Sequence, residues 1–183
     1  EIRNPRDARA YNIETIYQTL ALADNLDAAS NLFLGRELVT PMGLVDDSRM
    51  EAETRKIMAR LNPNFRKFAE PVKALSGGQR QSVAIARAVY FGARVLILDE
   101  PTSALGVRQT ANVLSTVDRV GKKGVGVVFI THNVRHAMAI GDRFTVLNRG
   151  KTLGTATRGE IRPEELQDLM AGGQEMARLE QSL

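Results

Sequence analysis

Four consecutive apolar residues, Val95-Leu96-Ile97-Leu98, run straight into two carboxylates, Asp99 and Glu100, and then into Pro101. A run so short and so uniformly apolar is what a strand needs in a parallel sheet covered on both faces. Pro101 stops it, having no N–H to give to a central ladder. Val125 to Ile130 is expected to be the next buried strand and Phe144 to Leu147 a further one. Apolar residues at helical spacing precede each: Val107, Ala111, Leu114, Val117 and Gly121, then Val134, Ala137, Met138 and Ile140 after a cap at His132 or Asn133. Strand, helix, strand of this length implies a right-handed βαβ crossover, so the fold class is α/β around a parallel sheet. Ligands of such sheets gather at the carboxyl ends of the strands, where Asp99, Glu100 and His132 fall. Adjacent carboxylates at a strand end point to opposite sides, so Asp99 and Glu100 are expected to do different work.

The remaining segments frame this core. Ile13 to Tyr17 reads as a short strand that Gln18 ends. From Thr19 to about Phe68 the chain reads as helical. Asp27 caps a helix that stops at Gly35, and Asp47 or Ser48 caps a second, with Met50, Ile57, Met58 and Leu61 on one face. Asn148 to Lys151 is a turn into an antiparallel return, Thr152 to Thr157, and Pro163 with Glu164 and Glu165 opens a last helix. Gly172-Gly173 is expected to interrupt that helix before a tail, residues 174–183. The 183 residues, 43% apolar and 25% charged, suit an ordinary folded domain. A net charge of +4 is scattered rather than blocked, which gives no nucleic-acid surface. The absence of cysteine excludes disulfides and thiolate chemistry, and no stretch approaches the roughly 18 apolar residues of a membrane span. Any work at a membrane is expected to run through a partner.

Sixteen residues before Val95, the run Leu75-Ser76-Gly77-Gly78-Gln79 ends, and Arg80, Gln81, Ser82 and a helix-forming series follow. Ser76 can cap that helix, and the two glycines let its free N–H groups approach an anion closely. Taken alone, S-G-G-Q is also an ordinary capped helix start.

In combination these residues resemble the nucleotide-binding subunit of ATP-binding cassette (ABC) proteins, from about Gln18 to the hairpin near Gly154. Leu75 to Gln79 is similar to its signature motif, Val95 to Glu100 to its Walker B strand with the catalytic Glu, Ser103-Ala104-Leu105-Gly106 to its D-loop, and Thr131-His132 to its switch histidine. The resemblance implies a partial P-loop NTPase (RecA-like) sheet core with a helical signature subdomain. It divides the chain into 1–18 (core strand and Q-loop), 19–90 (helical signature subdomain), 91–162 (Walker B, D-loop and H-loop core) and 163–183 (last helix and tail). The implied cofactors are ATP and Mg²⁺: Asp99 holds magnesium through water and Gln18 reaches the magnesium and the attacking water. Glu100 activates that water, His132 contacts the γ-phosphate, and Ser76, Gly77, Gly78 and Gln79 meet the nucleotide of a second subunit. The implied partners are that second nucleotide-binding subunit, transmembrane permease subunits and, indirectly, a substrate-binding protein, at the cytoplasmic face of the membrane. The wording of 16–22 and 25–37 is similar to monosaccharide importers, which implies a sugar as cargo.

Two departures qualify the resemblance. Gly106 stands where the D-loop usually has an aspartate, and no G-x-x-x-x-G-K-[ST] occurs. In the family that phosphate loop precedes the Q-loop, so it is expected upstream of Glu1, and the 183 residues alone are expected to bind Mg-ATP weakly. A soluble ABC ATPase and a non-catalytic ABC module are the alternatives; the joint presence of Gln18, Asp99, Glu100 and His132 weighs against the second.

Overall fold

A computed structural model describes residues 1–172 and divides the chain into two compact units, 1–130 and 131–183. In the first, β1 (Ile13–Ile16), β2 (Val95–Asp99) and β3 (Gly126–Ile130) form a parallel sheet in the order β1-β2-β3. Ile16 stands beside Leu98 and Leu98 beside Phe129, while Asp99 stands beside Ile130. The strand at the centre is thus the one whose four apolar residues demanded a sheet. Leu96 and Leu98 on one of its faces are fully buried.

The other face differs from expectation. Val128 and Ile130 are 49% and 46% exposed, and Ile97 between the neighbouring strands is only half-buried. β3 is an edge strand with one face open, so the expectation of a sheet covered on both faces and of a buried Val125–Ile130 strand is corrected. An apolar run signals a strand, but its place in the sheet is set by strand order.

The helices of this unit are α1 (Pro5–Ala10), α2 (Ala28–Phe33), α3 (Asp47–Leu61), α4 (Gly77–Tyr90) and α5 (Val107–Gly121). The Asp27 carboxylate accepts the Ser30 N–H at 2.8 Å and starts α2. For α3 the cap is Asp46, which accepts the Arg49 N–H at 3.0 Å, and not Asp47 or Ser48. Met50, Ile57, Met58 and Leu61 of α3 are buried as expected, together with Thr54. In α5 the buried face is Thr110, Val113, Thr116, Val117 and Val120, whereas Val107 is 90% exposed and Ala111 is exposed. The expected stripe was therefore rotated. Thr116 goes inside because its hydroxyl is satisfied there, donating to Asn112 O at 2.8 Å. Helix α1 was not anticipated, although Asn4 before Pro5 is a start signal, and Asn4 Oδ1 does accept the N–H groups of Arg6 and Asp7.

The second unit holds α6 (Val134–Ile140), β4 (Arg143–Asn148), β5 (Lys151–Thr157) and α7 (Pro163–Met170). Asn133, rather than His132, caps α6 by accepting the His136 N–H at 3.1 Å. β4 pairs antiparallel with β5, as the expected return after the turn requires, but in a separate two-stranded sheet, so β4 does not extend the parallel sheet as a further βαβ unit. Phe144, Val146 and Leu166 are its core, with Val134, Ala137, Met138, Ile161 and Leu169 packed around them. The expected break at Gly172-Gly173 and the tail 174–183 lie, Gly172 apart, outside the described residues.

Candidate functional site

Ser76 starts α4 with extended backbone and a reciprocal cap. Its Oγ accepts the Gln79 N–H at 3.4 Å, and Gln79 Oε1 accepts the Ser76 N–H at 2.9 Å. No acidic residue lies in the first turn, so the positive end of the helix dipole is not neutralised from within that turn. The two glycines are explained in part by packing. A Cβ on Gly77 would stand 2.5 Å from Leu105 Cδ2, and one on Gly78 would stand 3.2 Å from both the Cβ and the carbonyl oxygen of Gln109. Helix α4 thus begins in close contact with the residues that follow β2.

Beyond Asp99 the chain does not continue as a strand. Glu100 takes a left-handed backbone, φ +47°, where its N–H still reaches Ile130 O at 3.0 Å and its carbonyl accepts the Ser103 N–H at 3.1 Å and the Ser103 hydroxyl at 2.8 Å. The expectation that Asp99 and Glu100 alternate along one strand is corrected: Asp99 stays in the sheet, half-buried, and the turn redirects Glu100. Ala104 repeats the left-handed conformation at φ +58°. Gln18, exposed after β1, donates from Nε2 to Ser103 Oγ at 3.4 Å.

These pieces share one cleft of about 470 Å³. Gln18, Glu100 and Ser103 line it from the strand ends, Gly77 from the start of α4, and Ala104 and Leu105 from the loop. Sequence reasoning missed Asp24, Arg80, Gln81 and Gln109 in the same lining. Gln81 is 5% exposed, and its Nε2 is buried with no hydrogen-bond partner. Its spacing of four from Gly77 was the available signal, since that puts both on one helical face. Gly78 and Gln79 belong to the same helix start, while Gly106 is the residue before α5, where it makes no side-chain cap. His132 belongs to the second unit, exposed and just ahead of the α6 cap.

Among the described residues no group of three or more His, Cys, Asp or Glu side chains forms a metal centre. A magnesium ion does not require one, because it keeps several waters and takes one or two carboxylates along with substrate phosphates. The single carboxylate of Asp99 at the sheet's carboxyl edge fits that donor set.

A parallel sheet with acid and amide groups at its strand ends, facing a capped glycine helix start, is an α/β arrangement consistent with part of a P-loop nucleotide hydrolase fold. Two solved folds agree: an ATP-binding cassette of an ABC transporter in its ADP conformation (TM-score 0.73, 19% identity, 94% of this chain and 69% of that one) and a dimeric post-hydrolysis ATP-binding cassette bound to ADP and phosphate (TM-score 0.69, 21% identity, 88% and 70%). Residues 2–103 match the ABC transporter family, and the chain belongs to it. It is 42% identical to the xylose/arabinose import ATP-binding protein XylG of Sulfolobus acidocaldarius, across 91% of this chain and 66% of that protein. It is 38% identical to the fructose import ATP-binding protein FrcA of Rhizobium meliloti, across 97% and 71%. The ribose import ATP-binding protein RbsA 2 of Escherichia coli O157:H7 is 36% identical across 93% of this chain, which spans only 33% of that relative.

Proposed function

We propose that the protein carrying this chain is the ATP-hydrolysing subunit of an ABC importer whose cargo is a monosaccharide. The observation that carries the reading is the single cleft shared by Gln18, Glu100 and the start of α4. Three relatives that share 36–42% of this chain's residues, each named for the import of a sugar, support the cargo. The four segments 1–18, 19–90, 91–162 and 163–183 are taken as its Q-loop strand, helical signature part, hydrolytic core and terminal helix.

In this reading Asp99 holds Mg²⁺ through water, with Gln18 as a further contact, and the ion supplies charge neutralisation at the phosphates. Glu100 accepts the proton of the water that attacks the γ-phosphate, and Gln18 orients that water. His132 reaches the same phosphate. The start of α4 from Ser76 to Gln79, whose Gly77 and Gly78 N–H groups are not taken up by the Ser76–Gln79 cap, attracts the nucleotide held by a second subunit, the helix dipole acting on developing negative charge. Residues Ser103 to Gly106 lie at the contact between the two subunits. Permease subunits and, through them, a substrate-binding protein complete the assembly at the cytoplasmic face of the membrane. No described helix is long and apolar enough to cross a membrane. The 183 residues hold no G-x-x-x-x-G-K-[ST] loop, and in this reading they bind Mg-ATP weakly by themselves.

The test is Glu100→Gln in the full-length protein. Removing a general base is expected to lower ATP turnover by ~10² to 10⁴ while ATP binding stays within a few-fold. A fall of less than about tenfold overturns the assignment.

A further inference from the structure

Among the described residues only four non-glycine positions have left-handed backbones, and two of them, Glu100 and Ala104, lie within five residues of each other in the wall of the cleft. Such a backbone persists in a non-glycine residue only where its surroundings over-determine it. At Glu100 they do. Its N–H is held by Ile130 O of the adjacent strand, and its carbonyl takes two hydrogen bonds from one residue, Ser103, through the backbone N–H at 3.1 Å and the hydroxyl at 2.8 Å.

A serine hydroxyl has one proton to give and two lone pairs to receive with. With its proton directed to Glu100 O, Ser103 Oγ is left as an acceptor, and Gln18 Nε2 donates to it at 3.4 Å. One hydroxyl therefore touches both sides of the cleft, linking the end of β1 to the turn after β2. The N–H of Ser103 could build the turn by itself, so a role limited to turn formation leaves the hydroxyl redundant. Alanine would keep the turn and lose both links; threonine would keep all three contacts.

From this geometry we infer that Ser103 is a positioning residue: it holds Glu100 in its left-handed turn and ties Gln18 to it, so that the two groups keep a fixed relation across the cleft. The inference rests on the reading of Glu100 and Gln18 as the pair that handles the attacking water. It assigns Ser103 a role inside its own chain, separate from any contact between subunits.

The experiment compares Ser103→Ala, Ser103→Thr and Glu100→Gln in the full-length protein, with steady-state ATP hydrolysis and hydrogen exchange at the amides of 100–104. Loss of one or two hydrogen bonds predicts a kcat about three- to thirtyfold lower for Ser103→Ala. Its KM for ATP should stay within about twofold, exchange at Glu100 and Ser103 should quicken while β2 is unchanged, and Ser103→Thr should restore most of kcat. The inference is overturned if Ser103→Ala keeps kcat within twofold while Glu100→Gln loses it. It is also overturned if kcat and KM change together with general loosening of the sheet, which is the mark of a structural role. If Glu100→Gln itself leaves turnover intact, the reading of the site fails. In that case quickened exchange in Ser103→Ala still supports the backbone hold on Glu100, and unchanged exchange overturns that as well.

Discussion

The two helices α4 and α7 begin differently: α4 carries a reciprocal cap, whereas at α7 every bond of the cap runs from Arg162 to Glu165. At α4 the partners are Ser76 and Gln79, both neutral, and the first turn carries no acid. At α7 the Glu165 carboxylate accepts the Arg162 N–H at 2.9 Å and the Arg162 guanidinium at 2.8 Å, and Glu164 stands beside it. A helix start carries roughly half a positive charge. Helix α7 sets two acids of its own, Glu164 and Glu165, against that charge. Helix α4 pairs the Ser76 and Gln79 N–H groups and has no acid in its first turn, which suits a helix start that meets a phosphate. The ionic character of the third helical residue, neutral Gln79 or acidic Glu165, thus distinguishes the two helix starts.

The largest expected effect tests whether α4 is also tied to its own chain more tightly than α7 is. Gly78 meets the backbone of Gln109 in α5, which cannot swing aside as a side-chain end can. Gly78→Val should therefore cost about 1–3 kcal/mol of unfolding free energy, the usual range for overpacking, seen as a lower urea midpoint at unchanged m-value. An unchanged midpoint would mean that the approach to Gln109 is loose, and that only a ligand can account for the glycine.

A smaller effect separates the two kinds of cap. Ser76→Ala removes the acceptor for the Gln79 N–H and should cost about 1 kcal/mol. Because neither Ser76 nor Gln79 is ionised, that loss should be the same in low and high salt and from pH 4 to pH 8. A salt-dependent loss would show that the neutral description of the α4 start is wrong.

The difference between these helices was partly visible in the letters. S-x-x-Q and R-P-E-E are contiguous, and local hydrogen bonding reads contiguous residues directly, which is why Ser76 and the start at Pro163 were legible. The central strand was legible for the same reason. What escaped depends on residues brought from afar. The turn at Glu100 is held by Ile130, thirty positions away, and no local pattern announces it. The face of α5 was misjudged because apolar letters were counted, whereas Thr110 and Thr116 are inside and Thr116 is satisfied there by Asn112 O and Leu61 O. The buried amide of Gln81 is likewise a property of packing around it, and its residue type gives no hint.

The smallest effect is a pH dependence at the first turn of α7 and the residues just before it. The Arg162 N–H, and after it the Arg162 guanidinium, hold the Glu165 carboxyl below the usual glutamate range. The Glu160 carboxyl is lowered in the same way, by Thr157 through its side chain and then its backbone N–H. A carboxyl lowered in the folded state stabilises fully above its unfolded value of about 4.3, and that contribution is lost as pH falls through the lower folded value. Both groups are exposed and screened, so the effect is small and local. Amide exchange in the first turn of α7 should quicken relative to that of α4 as pH is taken from 6 to 3, after correction for intrinsic exchange. Glu165→Gln should remove most of that difference, because an amide keeps the neutral part of the cap and cannot be protonated in this range. Raising salt should weaken only the guanidinium contribution, since a backbone N–H carries no net charge to screen. Equal behaviour of the two helix starts through the acid range would remove the distinction between them.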